Sequence, residues 1–150
     1  MPGASGARRF VTAAEMQVEQ AAWGALEWLS RPGLTDAKLL QLVRVVIAPG
    51  AGHAFHRHPP MEEIIFVVSG QAEQWVGQSM RRLGPGDSAH IPADEVHATY
   101  NVGDGRLVVL AILSPAIVEG PTTVDVSGDE PWASLRHQPA SLSASHADGG

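Results

Sequence analysis

The stretch HAFHRHPPMEEIIFVVSG, residues 53–70, decides how the rest of the chain is read. It sets His53, His56 and His58 and the adjacent Glu62 and Glu63 ahead of an apolar run that closes on Ser69-Gly70. His56 and His58 are separated by one residue. On a helix that spacing sends the rings to different sides, whereas on a strand positions i and i+2 share a face, so both imidazoles converge inside a β-structure. Pro59-Pro60 then breaks the strand and turns the chain. In the run that follows, only one of Glu62 and Glu63 faces inward with Ile65 and Val67, and alternation alone leaves the choice open.

Working outward, short apolar segments recur at close spacing: LLQLVRVVIA (39–48), EIIFVVS (63–69), AEQWVG (72–77), SMRRL (79–83), SAHIP (88–92), HATYNV (97–102) and RLVVLAILS (106–114). Gly, Pro, Asp and Asn fill the joints between them, where tight turns need them. This rhythm predicts a jelly-roll barrel. Upstream, WGALEWLS (23–30) has strand character. TAAEMQVEQAA (12–22) is made of good helix formers behind Thr12 and Glu15 at capping-box spacing, which predicts a short helix. Beyond Pro115 the composition turns to Pro, Gly, Ser and Asp. TTVDV (122–126) suits an edge strand, Trp132 a pin onto the body, and SLSASHADGG (141–150) a disordered end. The domain reading is an N-terminal extension over 1–22, one barrel over 23–126 and a partly disordered tail over 127–150.

Composition narrows the chemistry. The 150 residues are 44% apolar with no cysteine, enough for one core and incompatible with disulfides, thiolate zinc sites, iron–sulfur clusters or a Cys nucleophile. A net charge of −6 with only 10 Lys and Arg leaves no electrostatic footprint for nucleic acid. Lys38 is the single lysine, and no phosphate-binding glycine motif is present. No apolar run reaches membrane-spanning length and Met1 to Phe10 lacks a signal-type apolar segment, so the expectation is a cytoplasmic protein without membrane partners.

His97 opens a further strand far downstream. Three imidazoles and a carboxylate gathered in one place make a site for a divalent first-row metal with positions left for water or substrate. Of the remaining polar groups, Thr99 lies in step with His97 and points toward the same place, while Tyr100 points away. Arg44 and Trp75 are further candidate pocket residues. For Arg44, the single charge inside its strand, an outward position is the commoner outcome, and Trp75 serves equally as core. His53 reads as a solvated loop residue, His90 as a surface residue, and His137 and His146 belong to the tail. Trp23 and Trp28 read as clamps for an N-terminal strand or a dimer partner rather than as ligand contacts.

Two blocks now stand out. Gly50-x5-His56-x-His58-x4-Glu63-x6-Gly70 closely resembles the first conserved motif of the cupin superfamily, and Gly86-x5-Pro92-x-Asp94-x2-His97-x3-Asn101 resembles its second. The resemblance covers about residues 40–114. It implies an all-β, double-stranded β-helix barrel and a metal held by His56, His58, Glu63 and His97, which selects Glu63 over Glu62. Asp94 departs from the pattern, which has Gly there, so a positive φ is expected at this residue.

Function is less constrained than fold, because one barrel hosts many chemistries. The expectation is a metal-dependent enzyme acting on a small molecule, foremost an iron-dependent dioxygenase; Mn, Ni, Cu, Co and Zn are alternative metals. The rivals are a redox-neutral isomerase, cyclase or lyase, and a non-catalytic binder of a small ligand. The redox-neutral reading needs a polar wall group beyond the ligands, drawn from Thr99, Asn101, Gln74, Glu73 and Arg44. A homodimer is also expected, with WGALEWLS and RLVVLAIL as pairing edges.

Overall fold

The computed structural model describes residues 8–136. Two antiparallel sheets face each other. The larger runs β1 (Gln17–Ala21), β2 (Gly24–Ser30), β3 (Gln41–Ile47), β10 (Leu107–Ser114), β5 (Glu62–Ser69) and β8 (Ser88–Ile91) in that spatial order. The smaller runs β11 (Val124–Asp125), β4 (Gly52–Arg57), β9 (His97–Asn101), β6 (Ala72–Val76) and β7 (Ser79–Leu83). A single-turn helix, α1 (Trp132–Leu135), follows.

Period-two alternation builds the interior. Along β3, Val43, Val45 and Ile47 are buried; along β5, Glu63, Ile65 and Val67 are buried while Glu62, Ile64, Phe66 and Val68 face out. With Leu107, Val109, Ala111 and Leu113 of β10 they form the core between the sheets. Each fully buried Val, Leu or Ile adds about 1.5–3 kcal/mol over exposure. The motif glycine Gly70 turns at φ +91°, where a Cβ would lie 2.7 Å from the Arg106 carbonyl oxygen.

The expected N-terminal helix does not form. The local contacts of a capping box are present, with Thr12 N–H and Oγ1–H donating to Glu15 Oε2 at 2.8 and 3.1 Å, but they close a turn. Residues 17–21 then pair with β2 from Gln17↔Trp28 to Ala21↔Gly24. Ladder hydrogen bonds to an existing sheet outweigh a thin helical propensity.

The expected pairing edges are also displaced. β10 lies in the middle of the larger sheet between β3 and β5, and β2 is covered by β1, so the free edges are β1 and β8. At the C-terminal side, Trp132 does pin the chain: its ring lies 5.5 Å from Phe55, and the Arg136 guanidinium sits 3.5 Å above Tyr100. His137, His146 and the expected disordered end lie outside the described residues. Among the described residues no helix is long and apolar enough to cross a membrane.

Candidate metal centre

His56 and His97 are register partners across the β4–β9 ladder, and His58 follows β4 in step with His56. Glu63 comes from β5 of the opposite sheet. All four are buried, at 4%, 1%, 7% and 5% exposure in that order, which is costly for polar groups unless something satisfies them. Ligand-capable nitrogens of His56, His58 and His97 lie within 4.8 Å of one another. Glu63 Oε2 sits 3.2 Å from His58 Nε2 and 2.9 Å from His97 Nε2.

The fold fixes the tautomer of all three rings. His56 Nδ1 donates to Ala54 O at 2.7 Å, His58 Nδ1 to Thr122 O at 2.7 Å and His97 Nδ1 to Glu95 O at 2.9 Å. A carbonyl oxygen only accepts, so each Nδ1 carries the proton and each Nε2 presents a lone pair to the barrel interior. Outer hydrogen bonds of this kind orient metal-binding imidazoles.

Electrostatics favour a charged Glu63 carboxylate at this place. Burial pushes the Glu63 carboxyl up, but the neighbouring His58 and His97 outweigh it and hold the group far below its ordinary range. Burial takes His56 well below its ordinary value. For His58 burial acts downward as well, yet the Glu63 carboxylate wins and raises it.

His97 Nε2 and Glu63 Oε2 are close, yet no hydrogen bond joins them, because Nε2 carries no proton, and both atoms are buried without a partner. Buried lone pairs with no proton between them, converging with two further imidazoles, are the donor set of a divalent metal rather than of a self-satisfied polar cluster. The three gathered histidines therefore fit a metal ion, with the Glu63 carboxylate beside two of them.

Around them lies a cavity of about 90 Å³. Thr99 lines it. Arg44 does not: it stands on the outer face of β3 and pairs with Glu27 of β2. Trp75 is also outside, its indole N–H donating to Glu73 Oε2 at 2.9 Å and its ring meeting Phe55 edge-on. Both corrections follow from alternation, since their neighbours Val43, Val45 and Gln74 take the inward places. Asn101 is occupied in bracing backbone, donating to Ile47 O and Gly105 O.

Three polar or aromatic cavity residues were missed: His53, Trp28 and Thr123, whose Oγ1 lies 3.3 Å from His58 Nδ1. His53 lines the cavity, stacked on His56 at 3.7 Å and backed by Trp23 at 4.7 Å. Its partner on β9 is Thr99 while that of His56 is His97, so three steps on β4 oppose two on β9. This β-bulge puts His53 back in phase with His56. Burial holds its pKa down at about 4. Trp28 also faces the cavity rather than a strand clamp, with Nε1 buried and unpartnered and the Arg31 guanidinium 4.7 Å from its ring.

The turn at Asp94 is as expected: φ is +66°, and Arg57 Nη1 donates to its Oδ1 at 2.7 Å. Asp94 N–H donates to His58 O, so this turn ties the two motif blocks together.

Comparison with known proteins places this geometry. The model of the cupin domain matches residues 43–113. Dimethylsulfoniopropionate lyase DddQ of Ruegeria pomeroyi is 45% identical over 56 residues, 37% of this chain and 27% of that protein. Germin-like protein 3-8 of Oryza sativa subsp. japonica is 30% identical over 107 residues, 66% of this chain and 47% of that protein. The chain thus spans less than half the length of the curated relatives it matches. Among solved structures, KdgF from Halomonas sp. superposes with a TM-score of 0.64 at 23% identity, over 72% of this chain and 94% of that one, a likeness of fold. With both motifs on adjoining strands of a double-stranded β-helix and three buried histidines gathered inside it, residues 43–113 of this chain are a cupin domain.

Proposed function

We propose that this protein is a metal-dependent enzyme acting on a small molecule inside the barrel, with His56, His58, Glu63 and His97 holding one divalent ion per chain. The observation that carries the reading is the set of three Nδ1-to-carbonyl hydrogen bonds, which leaves an Nε2 lone pair on each of three rings whose ligand atoms lie within 4.8 Å of one another, with the Glu63 carboxylate beside two of them. A bound metal supplies Lewis-acid polarisation and, where it is iron, oxygen chemistry. The chain's own part is to hold the donors, shed water and orient the substrate.

Iron-dependent oxidation is the first reading of the reaction. Leu26, Val43, Val45, Ile47, Ile65 and Val109 make most of the wall apolar, so few groups besides the metal are available to react. A redox-neutral lyase is the second, favoured by the 45% identity to a protein named as a lyase and by His53, an imidazole beyond the four proposed ligands that can accept a hydrogen bond within the cavity.

Product formation by iron-loaded protein from a panel of small metabolites, run in air and under argon, separates them. Turnover that needs oxygen and consumes it supports the dioxygenase; equal turnover under argon supports the lyase. No turnover with any metal and any panel member, alongside ligand binding, speaks for a non-catalytic binder.

A further inference from the structure

The direction of the Thr99 hydrogen bond is set by the residue behind it. Gln74 is 2% exposed, and its Nε2 donates to the Trp75 carbonyl oxygen at 3.1 Å. Because that carbonyl only accepts, the amide nitrogen must face Trp75 and the amide oxygen must face Thr99. Thr99 Oγ1 lies 2.6 Å from Gln74 Oε1 and must give it its proton. The hydroxyl keeps two lone pairs and no hydrogen for anything else, so toward the cavity Thr99 accepts only.

Its position is equally defined. Thr99 lies two residues from His97 on β9, on the same face, opposite His53 on β4 and Gln74 on β6. No Lys or Arg is among the described residues that line the cavity, and Glu63 is the sole carboxylate there. An anionic group entering this space has no protein cation to meet, and a metal ion held by the four ligands is its one available counter-charge. The volume of about 90 Å³ is well below the ~150 Å³ of an apolar cavity that accommodates benzene.

We infer that the cavity selects a small anionic metal ligand bearing a hydroxyl or N–H donor, of the short hydroxy-acid class, whose donor is read by Thr99 Oγ1 with Gln74 holding that oxygen in its accepting state. The inference rests on the proposed metal site and adds the substrate class and the residue that reads it.

The test uses full-length protein loaded with Co(II), whose d–d absorption reports ligand entry, titrated with glycolate and with acetate. The affinity ratio of the two acids is compared between wild type, Thr99→Val and Thr99→Ser. Chelation by the glycolate hydroxyl contributes to every ratio alike and cancels on comparison, which leaves the Thr99 contribution. A single neutral hydrogen bond predicts that the preference for glycolate falls about three- to tenfold in Thr99→Val and stays within about twofold of wild type in Thr99→Ser. If Thr99→Val does not fold, Gln74→Met frees the Thr99 hydroxyl to donate, and the same preference narrows because acetate gains a partner. Co(II) uptake with an unchanged ratio in these variants overturns the inference alone; a wild-type chain that takes up no Co(II) overturns the metal reading and this inference with it.

Discussion

Glu63 and His97 meet across the barrel from opposite sheets, with Oε2 2.9 Å from Nε2, both atoms buried and neither hydrogen-bonded. With the ring proton on Nδ1, two lone pairs face each other at this distance, and a cation between them would satisfy both. Replacing Glu63 by Gln removes the only negative charge among the four proposed ligands. Metal affinity is expected to fall by about a hundredfold, the upper end of what even an outer-shell partner is worth, as read by competition against a chelator. The fold should survive, because Gln retains the shape.

Arg44 provides the opposite control. Its side chain is paired with Glu27 on the outer face of the larger sheet. Arg44→Ala is therefore expected to leave metal uptake and ligand titrations at wild-type values, with a stability loss of about 1–3 kcal/mol, because the largely buried Glu27 carboxylate loses its partner. A large loss of ligand binding in this variant would place Arg44 back in the cavity.

Asp94 holds φ at +66° and is tied to Arg57. An alanine at this φ keeps the strain and loses the side-chain bond, so Asp94→Ala should destabilise by about 1–2 kcal/mol. Asp94→Gly exchanges the ion pair for a relaxed backbone and should be close to neutral. Denaturant melts of the two variants order them, and the reverse order contradicts this account of the turn.

Glu73 gives a pH signature. Burial raises its carboxyl, but Arg136 and the Trp75 indole N–H outweigh that and lower it beneath the ordinary 4.5. A depressed folded-state pKa contributes stability that is present above 4.5 and lost as pH falls through the folded value. Wild type should therefore melt above Glu73→Gln at pH 7, with the gap narrowing as the pH falls below 4.5. A gap that persists in acid would assign the effect to packing of Trp132 and Arg136 rather than to charge.

The expected homodimer stands as a proposal on a new footing, since neither β2 nor β10 is a free edge. Ile64, Phe66 and Val68 instead form an outward apolar row on β5, 42%, 38% and 44% exposed, beside Leu110 and Ile112 of β10. A second copy stacked on this face would cover it. Light scattering should give twice the 15.8 kDa chain mass for wild type and the single-chain mass for Phe66→Asp. A wild type that runs at 15.8 kDa rejects the proposal.

The strands were legible because they rest on period two: Val43, Val45 and Ile47 alternate with Arg44 in plain text. The four proposed ligands came instead from the resemblance of the two blocks to the cupin motifs, since period two alone left Glu62 and Glu63 undecided. What failed was what period two cannot carry. His53 is out of step with His56 by count, and only the bulge in β4, a two-strand property, restores it. The helix expected over 12–22 was overruled by β2, whose availability as a partner is not written in the local sequence. Trp28 was placed outside the cavity because the sequence does not show that β2 lies next to β3 with its inner face over the pocket.

The central claim is the metal site, and metal content by plasma mass spectrometry tests it most directly. Untagged protein, as isolated or after loading and desalting, should carry about one divalent ion per chain, and the His56→Ala/His97→Ala variant should carry almost none while keeping its fold by circular dichroism. A wild-type chain that stays empty after loading, or a double variant that retains the ion, would contradict it.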